Sequence, residues 1–134
     1  MKTFEELDLI APVQRALADE KYETPTPIQA QTVPAAMLGR DVLGCAQTGT
    51  GKTAAFALPL LDRLLGTRKP GPRALVLAPT RELATQIDAE FRLLAKFTRL
   101  KTTRVFGGVS ITIDFKTLKG STERNESDLR RNRA

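Results

Sequence analysis

The chain has 134 residues and a formal net charge of +6, and hydrophobic residues make up 41 % of it. It can therefore bury a core as one domain of moderate size, and its composition is not that of a disordered protein. With one cysteine and no histidine, it forms no intrachain disulfide and lacks the usual ligands of a zinc site. The charge fits a polyanionic partner, but a soluble domain that happens to be basic fits it equally well.

The sequence contains no signal for membrane insertion or secretion. No apolar run reaches the roughly 18 residues of a membrane span. The N-terminal stretch MKTFEELDLI has acidic residues where a signal peptide would have its apolar segment. We therefore expect a cytoplasmic protein that does not bind a membrane, and the sequence leaves its oligomeric state undetermined.

The first helix predicted from the sequence begins near Pro12. A proline is tolerated in the first turn of a helix, where its missing N–H has no partner in any case. Apolar residues then recur at helical spacing, namely Val13, Ala16 and Leu17. The helix should end near Asp19–Lys21.

A second helix follows the segment YETPTPIQ, residues 22–29. Its two prolines favour extended backbone at the threonines before them. Thr26 is a good N-cap and Pro27 a good first residue, so the helix should begin there. We expect Pro34 to interrupt or restart this helix, and Gly39 to end it.

The stretch VLGCAQTGTGKT, residues 42–53, has the pattern of a phosphate-binding loop. A short apolar run predicts a buried strand that includes Cys45, the glycines predict a turn, and the next apolar run predicts a helix. Glycines let the backbone approach a polyphosphate closely, and the N-terminus of the helix attracts anions. Lys52 would then reach the β- and γ-phosphates, and the Thr53 hydroxyl would bind Mg²⁺.

The glycine loop and Gln29 each have an alternative interpretation. The strict motif G-x-x-x-x-G-K-[ST] begins with a glycine, and Ala46 stands at that position here. The loop can therefore also be an ordinary turn between a strand and a helix, with its lysine in solvent. Gln29, taken alone, can be a surface glutamine in the first turn of its helix.

The next part of the chain continues the alternation of strands and helices. The apolar run 74–78 predicts a strand covered on both faces, and Thr80 can cap the helix that follows it. Residues 102–106 predict a third strand, which a pair of glycines closes. A last helix would begin at Ser110.

This order predicts an α/β fold with a parallel sheet, flanking helices and right-handed crossovers. Ligands of such sheets bind at the carboxyl ends of the strands, where the glycine loop, the Pro-Thr-Arg turn and the glycine pair all lie. Residues 121–134 do not continue the alternation of strands and helices, and their composition predicts a loose polar tail. The arginines of this tail can contact nucleic acid, although a solvated tail is the simpler interpretation.

Taken together, these motifs resemble those of the DEAD-box ATP-dependent RNA helicases. Phe4 with YETPTPIQ resembles the Q motif, and AQTGTGKT resembles motif I, including its alanine. APTRELA, residues 78–84, resembles motif Ia, and Gly107–Gly108 resembles the GG doublet. The resemblance implies a partial RecA-like P-loop domain over residues 1–120, in which residues 1–39 form the Q-motif region.

The resemblance also implies ATP, Mg²⁺ and RNA as ligands. Gln29 would hydrogen-bond the adenine edge, with two aromatic rings on or beside the base, and the RNA contacts would be blind to sequence. The residues implied are Phe4, Tyr22 and Gln29 for the base; Ala46, Thr48, Gly49, Thr50, Gly51, Lys52 and Thr53 for the phosphates and Mg²⁺; and Thr80, Arg81, Gly107 and Gly108 for RNA phosphates.

The sequence lacks other parts that a family member would show. After Gly120 a member would continue into strands that end in Thr-Pro-Gly-Arg and Asp-Glu-Ala-Asp, then into Ser-Ala-Thr and a second domain. The acidic pairs here, Glu5–Glu6 and Asp19–Glu20, do not end an apolar strand. We therefore expect no complete catalytic set, and a frameshift or gene fragment would explain the change of pattern at Ser121.

Three functions remain to be compared. The chain can be the ATP- and RNA-binding segment of a helicase, or a truncated remnant that binds nucleotide or RNA weakly without turnover. The third possible function is that of an unrelated P-loop kinase or transport ATPase. The segment around Gln29 argues against it, because such proteins do not need an adenine-reading segment before the loop. Because the strand at 42–46 would lack neighbours, we also expect marginal stability or aggregation.

Overall fold

The computed structural model describes residues 3–67, 69 and 71–106. The predicted helix at Ser110, the Gly107–Gly108 pair and the tail at 121–134 lie outside the described residues. In the described part, no helix has both the length and the hydropathy that a membrane span requires.

Four α-helices form where the sequence predicts them. They follow a one-turn 3-10 helix at Glu5–Leu7, and they are α1 (Ala11–Asp19), α2 (Pro27–Met37), α3 (Lys52–Gly66) and α4 (Arg81–Leu94). Thr26 is the N-cap of α2, and Thr80 caps α4 by accepting a hydrogen bond of 3.1 Å from the Leu83 N–H. Local capping chemistry therefore fixes the start of both helices.

The expected interruption at Pro34 is wrong, because α2 continues through this residue. A proline inside a helix removes one backbone hydrogen bond. The helix keeps its course since Val33, next to the proline, is fully buried in the core and α2 packs against α3. Gly39 follows the helix end with a φ of 80°, and its N–H bonds to the Ala36 carbonyl.

One hydrophobic core holds the helices together. Each helix contributes to it, and its largest fully buried side chains are Leu17, Leu58, Leu61, Leu94, Val13 and Val33. The backbone N–H of Ile10, at the start of α1, also donates a hydrogen bond of 2.7 Å to the Asp62 carboxylate in α3. The packed helices position the loop between α2 and α3.

The three predicted strands are not formed among the described residues. The segments 42–46, 74–78 and 102–106 carry no strand pairing there. The side chains of Leu43 and Leu77 are 93 % and 83 % exposed. A strand of this kind is buried only where neighbouring strands and helices cover it, and the described residues supply no such cover. The parallel sheet therefore stays a prediction.

The expectation that Cys45 is a buried hydrophobe is wrong, because this residue is exposed. Its neighbours in the sequence are apolar, but the burial of a strand residue depends on strands that are distant in the chain. The run of apolar residues alone does not indicate whether neighbouring strands bury the segment among the described residues.

The exposed apolar segments generate a prediction about association. We expect the purified chain to associate and to unfold over a broad temperature range, since unpaired apolar segments pair with other chains. Circular dichroism melts with light scattering at several concentrations measure both properties. Leu77→Ser should reduce association without lowering the melting temperature, because this side chain is already in solvent. A sharp melt of a monomer, independent of concentration, would contradict the prediction.

Candidate nucleotide-binding site

The loop before α3 has the backbone geometry of an anion-binding turn. Gly49 and Gly51 have φ angles of 82° and 78°, in the left-handed region that glycine adopts without strain. Gly51 is the N-cap of α3, which begins at Lys52. The first N–H groups of a helix have no partner within it, so this turn presents hydrogen-bond donors together with the positive end of the helix dipole.

Gln29 joins the first turn of α2 to this glycine loop. Its Oε1 accepts the Thr26 N–H at 2.9 Å, and its Nε2 donates to the Gly51 carbonyl at 3.1 Å. The Thr26 hydroxyl donates to the neighbouring Thr50 carbonyl at 2.8 Å. Gln29 is only 2 % exposed, so its interpretation as a surface glutamine is wrong.

The contact between Gln29 and Gly51 leaves no room for a side chain at Gly51. A Cβ atom at Gly51 would lie 2.3 Å from the Gln29 Nε2 and 3.1 Å from its Cδ. A side chain at this position would therefore be strained for two separate reasons, the positive φ and the displacement of the Gln29 amide.

The remaining loop residues hold the turn closed on itself. The ammonium of Lys52 donates to the Ala46 carbonyl at 2.6 Å, and the Thr50 hydroxyl donates to the Gln47 carbonyl at 2.6 Å. Thr48 is exposed, and Thr53 lies half-buried in the first turn of α3. The structure thus brings the predicted phosphate-site residues together in one turn, with the lysine side chain folded across it.

Phe4 and Tyr22, the two aromatic residues expected near the base, contact each other. Their ring centroids are 5.8 Å apart with the planes at 71°, an edge-to-face pair, and Phe4 is only 3 % exposed. The Tyr22 hydroxyl donates to the Glu90 carboxylate at 3.4 Å. Burial raises the pKa of Tyr22, as does the charge of Glu90. Burial also raises the pKa of Glu90, against the effect of this hydrogen bond. These contacts tie the aromatic pair to α4.

The residues expected to contact RNA lie at the start of α4. Thr80 caps the helix, and Arg81 is its first residue and is exposed. Gly107 and Gly108 lie outside the described residues, so their position relative to this turn is not described.

Sequence reasoning missed that Thr26 bonds the loop directly. It identified Thr26 as a helix cap only. The Thr-x-x-Gln spacing of Thr26 and Gln29 is that of a capping box, which was a signal that their side chains act together. Both side chains also contact the loop, which lies more than twenty residues further along the chain. No local sequence pattern predicts that contact.

The family model described as "DEAD/DEAH box helicase" matches residues 26–126, which is most of the chain. The chain belongs to the DEAD/DEAH box helicase family. The match begins at Thr26, so it includes the glutamine contact, the glycine loop and α4.

Curated DEAD-box relatives are similar to this chain over most of its length. It is 44 % identical over 119 residues to the DEAD-box ATP-dependent RNA helicase CshA of Bacillus cereus, covering 89 % of this chain and 22 % of that protein. It is 49 % identical over 118 residues to the ATP-dependent RNA helicase DeaD of Mycobacterium tuberculosis, covering 87 % of this chain and 21 % of that protein. The chain thus spans about a fifth of the length of these relatives.

Solved DEAD-box structures share the fold. A DEAD box protein from the hyperthermophile Methanococcus jannaschii superposes with a TM-score of 0.82 at 34 % identity, over 88 % of this chain and 32 % of that one. The RNA helicase Prp28 from Chaetomium thermophilum, bound to ADP, superposes with a TM-score of 0.79 at 38 % identity. The match covers 91 % of this chain and 30 % of that one. These neighbours confirm the predicted RecA-like fold of DEAD-box proteins.

The geometry at Gly51 makes a prediction about stability. Gly51→Ala should destabilise the chain by about 1–3 kcal/mol, because alanine is strained at this φ and its Cβ would displace the Gln29 amide. Urea unfolding followed by circular dichroism measures this difference. Gly49→Ala is the matched control, since Gly49 has a similar φ of 82° but a Cβ there meets nothing within 4 Å. Equal stability of the two variants would show that the close contact is absent.

Proposed function

We propose that this chain supplies the ATP-binding and RNA-binding segment of a DEAD-box ATP-dependent RNA helicase. The reaction of the whole protein would be ATP hydrolysis coupled to the unwinding of RNA duplexes. Family membership supports the proposal, as does the fact that the CshA and DeaD relatives are RNA helicases. The observation that carries it is the hydrogen bond from the Gln29 Nε2 to the Gly51 carbonyl, which joins a candidate base-reading residue to a candidate phosphate loop.

The loop residues fit a magnesium-bound nucleotide. The turn has no side chains at Gly49 and Gly51, so backbone N–H groups can approach a polyphosphate. Lys52 would exchange its bond to the Ala46 carbonyl for a phosphate oxygen, and the Thr53 hydroxyl would bind Mg²⁺. When bound, Mg·ATP supplies the transferable phosphoryl group and a metal ion that offsets phosphate charge. A related helicase solved with ADP supports this choice of ligand.

Gln29 keeps the groups that are needed to recognise adenine. Its amide has two N–H donors and two acceptor lone pairs, of which the Thr26 and Gly51 contacts use one each. The remaining donor and acceptor would pair with the N7 and N6 positions of adenine. Phe4 and Tyr22 would pack on or beside the base, at the edge of the core where they meet.

The RNA contacts would lie at the N-terminal end of α4. Thr80, Arg81 and the Gly107–Gly108 backbone would hold phosphates without reading sequence. We infer that the segments 42–46, 74–78 and 102–106 form a parallel sheet within a partial RecA-like domain, residues 1–120. Such a sheet would place the glycine loop and the start of α4 at the same edge.

A nucleotide-binding comparison tests the base-reading role of Gln29. Gln29→Ala should weaken binding of both ATP and GTP, because it releases the loop. It should weaken ATP more than GTP by about 1–3 kcal/mol, the value of a lost bidentate contact to a base. Fluorescence titrations with labelled nucleotides measure both affinities.

Gln31→Ala is the control, since this glutamine is exposed on the same helix and should leave both affinities unchanged. An equal loss of ATP and GTP affinity in Gln29→Ala would limit this residue to a structural role in the loop.

The second candidate function is a segment that binds without hydrolysing ATP. The sequence contains no Asp-Glu-Ala-Asp, and the described residues hold no group of three or more His, Cys, Asp or Glu placed to bind a metal. Phosphoryl transfer depends on such positioning groups, and an arginine finger alone contributes roughly 10³–10⁵ in rate.

We therefore predict no RNA-stimulated ATP hydrolysis by the 134-residue chain above background. Phosphate release with and without single-stranded RNA is the measurement. Turnover that disappears in Lys52→Ala would show that the chain is a complete catalyst and would contradict this prediction.

A further inference from the structure

Glu90 is a half-buried carboxylate outside the glycine loop and the aromatic pair. It lies in α4, and burial raises its pKa above the ordinary value of a glutamate. Among the described residues, no lysine or arginine forms an ion pair with it. Its Oε1 instead accepts the hydrogen bond of 3.4 Å from the Tyr22 hydroxyl. A carboxylate that is half-buried without a cation adds little to the stability of a fold, so stability alone does not explain this pair.

The backbone of Tyr22 is fixed by the turn that ends α1. The Tyr22 N–H donates to the Leu17 carbonyl at 2.9 Å, and the Lys21 N–H donates to the Ala18 carbonyl at 3.1 Å. Lys21 has a φ of 58°, in the left-handed region. These two bonds around a left-handed residue form a Schellman motif, which ends a helix and sets the direction in which the chain leaves it. The Cα of Tyr22 therefore has a defined position relative to α1.

The side chain of Tyr22 is restrained at two further points. Its ring packs edge-to-face with Phe4, and its hydroxyl at the far end of the ring bonds to Glu90. The heavy atoms of a tyrosine side chain turn about only two torsions. With the Cα fixed, one contact at the ring and one at the hydroxyl therefore select a single orientation of the Tyr22 side chain.

The position of Glu90 does not depend on Tyr22. Helix α4 is also attached to the end of α1 by Lys96, which pairs with Glu20 at 2.7 Å and with Asp19. Leu94 of the same helix is fully buried in the core. Glu90 is therefore presented to Tyr22 by an element that other contacts hold in place.

We propose that Glu90 is a positioning residue for the base of the nucleotide. Through the Tyr22 hydroxyl it holds the Tyr22 ring in the orientation in which this ring packs on or beside adenine. A ring that is oriented in advance loses less rotamer freedom when the base binds, so the base binds more tightly. The inference rests on the proposed binding of ATP, with its base near Phe4 and Tyr22.

The test compares the affinities of full-chain variants for Mg·ATP and for magnesium tripolyphosphate, which has the phosphates without a base. Glu90→Ala should weaken binding of ATP by about 2- to 12-fold, the effect of one hydrogen bond of ordinary strength. It should leave the affinity for tripolyphosphate unchanged, because the glycine loop is not altered. Glu90→Gln should retain most of the affinity for ATP, since its amide oxygen can still accept from the Tyr22 hydroxyl.

A double-mutant cycle shows whether Glu90 acts through Tyr22. Tyr22→Phe keeps the ring and removes the hydroxyl, so it should weaken ATP binding about as much as Glu90→Ala does. Combining the two substitutions should cause no further loss, because both remove the same hydrogen bond.

The phenol of Tyr22 provides a spectroscopic readout, since the chain has one tyrosine and no tryptophan. Burial raises the pKa of Tyr22, and the charge of Glu90 and the hydrogen bond to it raise this pKa further. Glu90→Ala should therefore lower the midpoint of the alkaline titration of tyrosine absorbance. Glu82→Ala is the matched control, since Glu82 is an exposed glutamate on the same helix. It should change neither this midpoint nor the affinity for ATP. Circular dichroism melts verify that each variant is folded as the original chain is.

The outcomes separate this inference from the proposed function. If the original chain binds Mg·ATP and Glu90→Ala binds it equally well, the positioning role is refuted and the proposed function stands. An equal loss for ATP and for tripolyphosphate would also refute the role, because Glu90 would then act on the fold as a whole. A further loss in the double variant would refute it as well, since Glu90 would then act by a route other than Tyr22. If the original chain binds neither ligand, both the proposed nucleotide site and the positioning role are refuted.

Discussion

The hydrogen bond from the Gln29 side chain to the Gly51 carbonyl is the contact on which the candidate site depends. It joins two helix starts, since Gln29 lies in the first turn of α2 and Gly51 caps α3. A buried amide that lost such a partner would be left unsatisfied, at a cost of about 1–3 kcal/mol. The contact therefore stabilises one arrangement of the glycine loop, in which Lys52, the first residue of α3, is exposed.

Helix α4 is the element that positions the residues proposed to contact RNA. It is tied to the Q-motif region by the Tyr22–Glu90 hydrogen bond, and Lys96 beyond its end pairs with Asp19 and Glu20. Its N-terminal end carries Thr80 and Arg81. One rigid element thus reaches from the proposed base-binding side to the proposed RNA side.

The sequence predicted the features that depend on local chemistry. Prolines, threonine caps and helical spacing located the four helices, and the family motifs located the loop. Pro34 was misjudged because packing against α3 outweighs the local preference of a proline. Cys45 was misjudged for a related reason, since burial of a strand depends on neighbours that are distant in the chain. The Thr26–Thr50 and Tyr22–Glu90 contacts are likewise nonlocal, and no spacing rule identifies them.

The central claim is that the loop held by Gln29 binds the phosphates of ATP. Isothermal titration of the folded chain with Mg·ATP is its most direct test, at nucleotide concentrations up to the millimolar range. We predict saturable binding of one nucleotide per chain, which is lost in Lys52→Ala. Absence of any heat of binding at millimolar Mg·ATP, with the helices shown to be folded, would contradict it.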